Sequence, residues 1–197
     1  MGSGDPYITL SQMKARMGIT ESTRDVEMSA ALLAASRAID DHCGRFFWAD
    51  ADVSARTYRV RGRRAPMADE YCIITDDFLT TTGLVVEISD DQTAWSDVTS
   101  DVDPVPGEWP DVTARPYVRI TSLTPWTTRY VRVTARWGWP AVPSQVLEST
   151  RLLSSRFFRR KDSPEGVLGS ADWGAIRVSG RDPDVVALLQ RLKAQAF

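Results

Sequence analysis

The chain has one histidine, two cysteines and almost no net charge, and each shortage removes a class of chemistry. With His42 alone there is no Ser/His/Asp relay, no His-based zinc site and no H-E-x-x-H pair. His42 itself ends a helical stripe and reads as a packing residue. Cys43 and Cys72 lack a C-x-x-C neighbour, which speaks against a zinc site or a thioredoxin-like pair. They fit buried thiols in a reducing compartment, with a disulfide between them as the alternative. No Gly-rich phosphate loop of either common kind is present. No apolar run approaches the roughly 18 residues of a membrane span, and no signal-peptide pattern opens the chain, so no membrane partner is expected. A net charge of −2 speaks against a general nucleic-acid binder while leaving room for a local basic patch. There is no internal repeat and no low-complexity tract.

What is present is an ordinary globular composition, 43% hydrophobic and 25% charged over 197 residues. That length suits one domain, or a small core with one sizeable insertion, and buries roughly 70% of its unfolded surface without a metal or disulfide staple. The organising stretch runs from Arg132 to Pro164. Tyr130, Arg132, Thr134 and Arg136 alternate with Val131, Val133, Ala135 and Trp137, a strand period. Gly138 and Pro140 stop that strand, and Pro143 sits where a helix can begin. Val146, Thr150, Leu153 and Phe157, flanked by Leu147 and Phe158, then form one helical stripe. It ends in Arg159, Arg160 and Lys161, cations at the negative end of a helix.

Helical signals frame the chain. Thr9 with Gln12 has the capping-box form and Gly18 can close a short helix. A second cap is expected between Thr20 and Thr23, followed by a stripe of Met28, Leu32, Ala35 and Ile39 to His42/Cys43, ending at Gly44. Its many alanines permit close helix approach. Asp182-Pro183-Asp184 reads as the start of a last short helix carrying Val185, Leu188, Leu189 and Leu192. Between residues 55 and 137 the character is β: short runs punctuated by Asp76-Asp77, Thr82-Gly83 and Asp90-Asp91 predict antiparallel hairpins in a small sheet or sandwich. The proline-rich stretch from Ser96 to Pro116 reads as an irregular loop. The expected fold is therefore α+β, mainly a helical bundle of about four helices (residues 1–49 and 140–197) interrupted by an antiparallel β insertion (50–139).

Chemistry is harder to find. Asp76-Asp77 and Asp90-Asp91 could bind calcium, although acids at strand ends are commonly turn residues. Carboxylate catalysis needs only two acids, but nothing fixes which two, so no enzyme and no cofactor are expected. Two basic clusters remain: Arg56, Arg59, Arg61, Arg63 and Arg64 on one strand and its exit, and Arg156, Arg159, Arg160 and Lys161 at the end of the long helix. The first either pairs with Asp69, Glu70, Asp76 and Asp77 or meets an acidic partner or nucleic-acid phosphates; the second either complements the helix dipole or does the same. The connection from Asp162 to Gly180 carries Val167, Leu168, Trp173, Ile176 and Val178, more apolar groups than a surface loop needs.

Several of these runs, in order, resemble tailed-phage head-to-tail connector (adaptor) proteins. They are Tyr7 to Thr20, Leu32 to Asp40, Cys43 to Trp48, Trp137-Gly-Trp-Pro, Val142-Pro143, residues 159 to 164, and Asp182-Pro-Asp-Val. The helical blocks cover a little over half the chain; the central β region matches only in type, and is longer and richer in tryptophan. The resemblance implies a helical bundle with a β insertion, assembled as a ring, typically dodecameric. That ring lies beneath the portal of a DNA-filled capsid and receives the next neck, head-closure or tail protein. Genomic DNA would pass through its channel without sequence-specific binding, and the protein would be assembled in the host cytoplasm and reside in the virion. Candidate intersubunit or portal contacts are Phe157, Phe158, Arg159, Arg160, Trp173, Ile176 and Val178. Two other classes stay open: a DNA-binding module using Arg56 to Arg64, and a carbohydrate-binding β domain using Trp95, Trp109 and Trp126.

Overall fold

The computed structural model describes residues 4–60, 71–108, 114–160, 167–168, 176–177 and 182–194. The chain divides into two compact units, one comprising Ser3–Phe46 with Val142–Phe197, the other Phe47–Ala141.

The first unit is helical: α1 (Leu10–Met17), α2 (Asp25–Cys43), α3 (Ser144–Arg160) and α4 (Pro183–Leu189). Its local signals are satisfied as physical chemistry requires. Thr9 Oγ1 accepts from the Gln12 backbone N–H at 3.2 Å while the Gln12 side chain accepts from the Thr9 N–H at 2.9 Å, so two amides that a helix start would orphan are paired. Gly18 then closes α1 in a left-handed conformation, φ +68°. α2 departs from expectation at its start: it begins at Asp25 after Arg24, with no side-chain cap from Thr20 to Thr23. Asp25 and Glu27 supply the negative charge of the first turn instead. Asp182 caps α4 by accepting from the Asp184 N–H at 3.1 Å, with Pro183 at the first helical position.

α2 packs chiefly on α3. The buried stripe of α3 is Val146, Ser149, Thr150, Ser154 and Phe158, rotated from the predicted one, and Leu153 and Phe157 are only half-buried. The rotation follows from size. Ser149 and Ser154 face the helical core, and α2 buries Ala31, Ala35 and Ser36. Thr150 tolerates burial because its hydroxyl donates to the Val146 carbonyl at 2.8 Å. Larger groups fill one end of this core, where Ile8, Met13, Met28, Leu32 and Phe158 cluster.

The described elements of the second unit are strands, apart from one 3-10 turn at Thr99–Asp101. β1 (Ser54–Arg59), β3 (Val85–Ser89), β4 (Ser96–Asp97) and β7 (Tyr130–Ala135) form one sheet in the order β1-β7-β3-β4; β2 (Tyr71–Phe78), β5 (Asp103–Pro106) and β6 (Tyr117–Ser122) form another in the order β2-β6-β5. All pairings are antiparallel, but the chain moves between the sheets, so long-range partners such as Ser54↔Ala135 outnumber hairpins. Val131, Val133 and Ala135 of β7 join Ile73, Phe78, Val86, Ile120 and Trp137 in a single core.

Two expectations are corrected here. The α+β class and the four helices stand, but the protein is not mainly a helical bundle: the strands enclose a core of their own. And part of the supposed irregular loop from Ser96 to Pro116 is β5, which contains Pro104 and Pro106. Proline is tolerated there because β5 is an edge strand, paired only with β6, so missing N–H donors can face outward. A further two-stranded pairing, β8 (Val167–Leu168) with β9 (Ile176–Arg177), lies in the connection before α4.

The Trp-Gly-Trp corner is held inside the β unit. Gly138 has φ +106°, and a Cβ there would run into the Trp48 carbonyl oxygen, so only glycine fits. Its N–H donates to the Asp77 carbonyl at 2.7 Å, and Trp139 Nε1 donates to the Asp77 carboxylate at 2.7 Å. Both indoles are almost fully buried, and Trp139 packs on Phe47 with ring centroids 5.0 Å apart.

Candidate interaction surfaces

The residues singled out in the sequence fall on quite different surroundings. In the β unit, Arg56 Nη1 donates to Asp76 at 2.8 Å, Nη2 lies 3.5 Å from Asp50, and the guanidinium stands 4.4 Å from the centre of a Trp137 ring. Tyr58 donates its hydroxyl to the same Asp76 carboxylate at 3.0 Å and accepts from the Asp76 N–H at 3.1 Å. Burial raises the Tyr58 pKa, keeping the phenol neutral. β1 and β2 belong to different sheets, so Arg56, Tyr58 and Asp76 pin one sheet to the other. Arg56 thus takes the internal-pairing role. Arg59 is exposed on edge strand β1. Arg61, Arg63 and Arg64, with the suggested partners Asp69 and Glu70, lie outside the described residues.

Trp95 and Trp126 are each engaged within the β unit. Arg132 lies over the Trp95 ring, 4.2 Å from its centre, while its Nε and Nη2 each donate to Glu87 at 2.7 Å. That forked bond holds the Glu87 carboxyl below its usual range. Trp126 is half-buried, with Nε1 donating to the Tyr71 carbonyl at 3.3 Å. Trp109 lies outside the described residues. The acidic pairs are turn and seam residues. Asp90 accepts from the Arg129 N–H. Asp91 accepts from Ser89, Thr93 and Ala94, which hold its pKa well below the usual carboxylate range, the Thr93 bonds most of all. Among the described residues no group of three or more His, Cys, Asp or Glu side chains is placed to hold a metal ion. Cys43 and Cys72 are both free thiols; burial pushes Cys43 up to about 11, leaving it protonated at neutral pH.

The helical unit presents a different arrangement. Where α3 ends and α4 begins, α2, α3 and α4 border a cleft of about 160 Å³. Leu153, Phe157 and Val186 supply apolar walls, His42 of α2 reaches its edge, and Arg156 and Arg160 add two cations against one anion, Asp182. Arg156 and Asp182 are 3.7 Å apart. Arg159 and Arg160 are exposed, and among the described residues neither has a carboxylate partner. Phe158, by contrast, is only 4% exposed and is covered by Arg24, whose guanidinium lies 4.2 Å from the ring centre. Its own chain encloses it. Ile176 is placed by its backbone in β9; Trp173 and Val178 lie outside the described residues.

Sequence reasoning found the arginines and Phe157, which are close along one helix. It missed Val186 and the approach of His42, because these meet α3 only through tertiary packing. It also passed over a buried cluster at the start of the chain. Tyr7 donates its hydroxyl to Asp40, which also pairs with Arg37 at 2.9 Å, and the Tyr7 N–H donates to Ser36 at 3.1 Å. Burial raises Asp40 to about 6, against the opposing pulls of Tyr7 and Arg37. Spacing along α2 puts Ser36 and Asp40 one turn apart on one face, which is a signal; the partner Tyr7 is not legible from spacing.

No family model and no curated protein sequence matches the chain. Among solved structures, it is similar to a chain of the neck of an empty GTA particle computed with C6 symmetry. That similarity has a TM-score of 0.57 at 17% identity, and it spans 97% of this chain and 91% of the other. At such identity the likeness is one of fold. Among the described residues no helix is long and apolar enough to cross a membrane.

Proposed function

We propose that the chain is a structural subunit of a tailed-phage or phage-like neck, a head-to-tail connector that forms a ring beneath the portal. It extends the DNA channel and offers a surface to the next neck or tail protein. The observation that carries this reading is the likeness of nearly the whole chain, helical and β parts together, to nearly the whole of a chain from a particle neck. A fold shared end to end is stronger support than a shared module, since both units are then part of the comparison. The neighbour's neck was computed with C6 symmetry. A ring obeying such symmetry contains a multiple of six copies, and twelve is the number expected from the resemblance. Each contact in such a ring is heterologous, one face of a subunit against a different face of the next.

Arg159 and Arg160 at the end of α3, which have no carboxylate partner among the described residues, are the proposed docking cations, with Phe157 beside them; Trp173, Ile176 and Val178 are proposed as further contacts between chains. The subunit performs no reaction in this account. It is assembled in the host cytoplasm and resides in the virion at the head-tail interface, with DNA passing through unread. The DNA-binding alternative loses Arg56 to Asp76 and Asp50, and the carbohydrate alternative finds one face of Trp95 taken by Arg132.

Native mass spectrometry of the chain, alone and mixed with the capsid's portal, tests the proposal. A complex carrying a multiple of six copies on the portal ring is expected, even if the lone chain stays monomeric. A mixture in which portal and chain never associate, at any ionic strength, overturns it.

A further inference from the structure

We infer that the cleft bordered by α2, α3 and α4 is a binding site for an acidic, apolar peptide segment of a partner protein. The inference rests on the proposed connector role and names the chemistry of what docks. The cleft has the two features such a segment needs. Leu153, Phe157 and Val186 form an apolar wall around a volume of about 160 Å³, enough for one large aliphatic or aromatic side chain. A buried anchor of that kind dominates the energy of many interfaces. At the rim, Arg156 and Arg160 outnumber Asp182, and Arg159 adds a further exposed cation one residue away.

The charges divide the work between them. Arg156 already faces Asp182 at 3.7 Å, so it holds the α4 end of the cleft to α3. Arg160 lines the cleft, has no carboxylate partner among the described residues, and offers a planar fork suited to a carboxylate. A bare phosphate chain would satisfy the arginines and leave the apolar wall wet. An uncharged apolar peptide would fill the wall and leave Arg160 unused. A segment with a Leu or Phe beside Asp or Glu satisfies both.

Fluorescence polarisation with two labelled synthetic peptides, one pairing Leu and Phe with glutamates and one with lysines in the same places, tests the site on the full chain. The acidic peptide is expected to bind at least about 10-fold more tightly, with affinity falling as salt is added. Arg160→Glu is exposed and will not disturb folding; it is expected to abolish that preference. Val186→Gln should weaken binding of the acidic peptide with the circular-dichroism spectrum unchanged. If both peptides bind equally, if neither binds, or if duplex DNA displaces the acidic peptide while Val186→Gln has no effect, the site is not what we infer. Those failures would leave portal association by the wild-type chain untouched. Loss of portal association with peptide binding intact would instead remove the connector role alone.

Discussion

In the β unit, Arg56 and Arg132 each sit between a carboxylate and an indole ring, whereas in the helical unit Arg159 and Arg160, at the end of α3, form no ion pair with a described carboxylate. Arg56 and Arg132 close structure within the β unit, as Arg37 and Arg156 do in the helical unit through Asp40 and Asp182, whereas Arg159 and Arg160 are left over among the described residues. A cation in a forked bond over an aromatic ring has most of its donors engaged, so a partner gains little by approaching it. An unpaired cation at a helix C-terminus already has a favourable dipole and gains again from an outside carboxylate. Net charge could not distinguish these cases. Pairing does, and it directs attention from Arg56 and Arg132 to Arg159 and Arg160.

The contrast can be pressed with substitutions, taken from the largest expected effect on stability to the smallest. Trp137→Ala removes a fully buried indole that the β core, Phe78 and Arg56 all contact, and should cost about 3–5 kcal/mol in denaturant unfolding. If the loss is under about 1 kcal/mol, the β unit is not organised around that ring.

In the helical unit, the buried Asp40 supplies a pH test. Its pKa is raised to about 6, so the folded state holds the proton more tightly than the unfolded chain does. Its contribution is full below about pH 4 and is lost as pH rises through 6, on the order of 3 kcal/mol in all. Asp40→Asn should flatten that slope in melting curves between pH 4 and 7. An unchanged slope would move the titration elsewhere.

Asp76→Ala breaks the pin between the two sheets and leaves the Tyr58 hydroxyl and Arg56 without their partner. Because Asp76 is itself well exposed, water replaces part of the loss, and a cost of about 1 kcal/mol is expected from urea midpoints. The smallest effect belongs to Arg159→Glu with Arg160→Glu. Stability should fall by no more than about 1 kcal/mol, the helix-end charge contribution screened by salt, while sedimentation with the portal shows weakened docking that depends on salt. Equal docking at every salt concentration would erase the distinction between the two clusters.

Much of the helical unit was readable from local chemistry. Thr9 with Gln12, Gly18, Gly44 and Asp182 with Pro183 specify ends that need only neighbours a few residues away. The start of α2 was misread because Thr20 and Thr23 look like caps, yet the helix starts after Arg24 without one. The face of α3 was turned by about one residue because periodicity ranks Leu153 and Phe157 above serine, whereas packing against the small residues of α2 favours Ser149 and Ser154. The β unit was readable as strands and not as an order of strands. Ser54 pairs with Ala135, and no local signal spans such a separation. Pro104 and Pro106 hid an edge strand for a similar reason: only the sheet order reveals that the missing donors are harmless. At the candidate site, Phe157 and the arginines were visible as a cluster along one helix. Val186 and His42 were not, because they arrive from α4 and α2.

The central claim is that this chain joins head to tail by being covered, on its cationic helix end, by another protein. Electron microscopy of particles made without it tests that most directly. DNA-filled or empty heads with a portal and no attached tail are the predicted result, restored to complete particles when the chain is supplied. Complete, infectious particles formed in its absence would contradict the account.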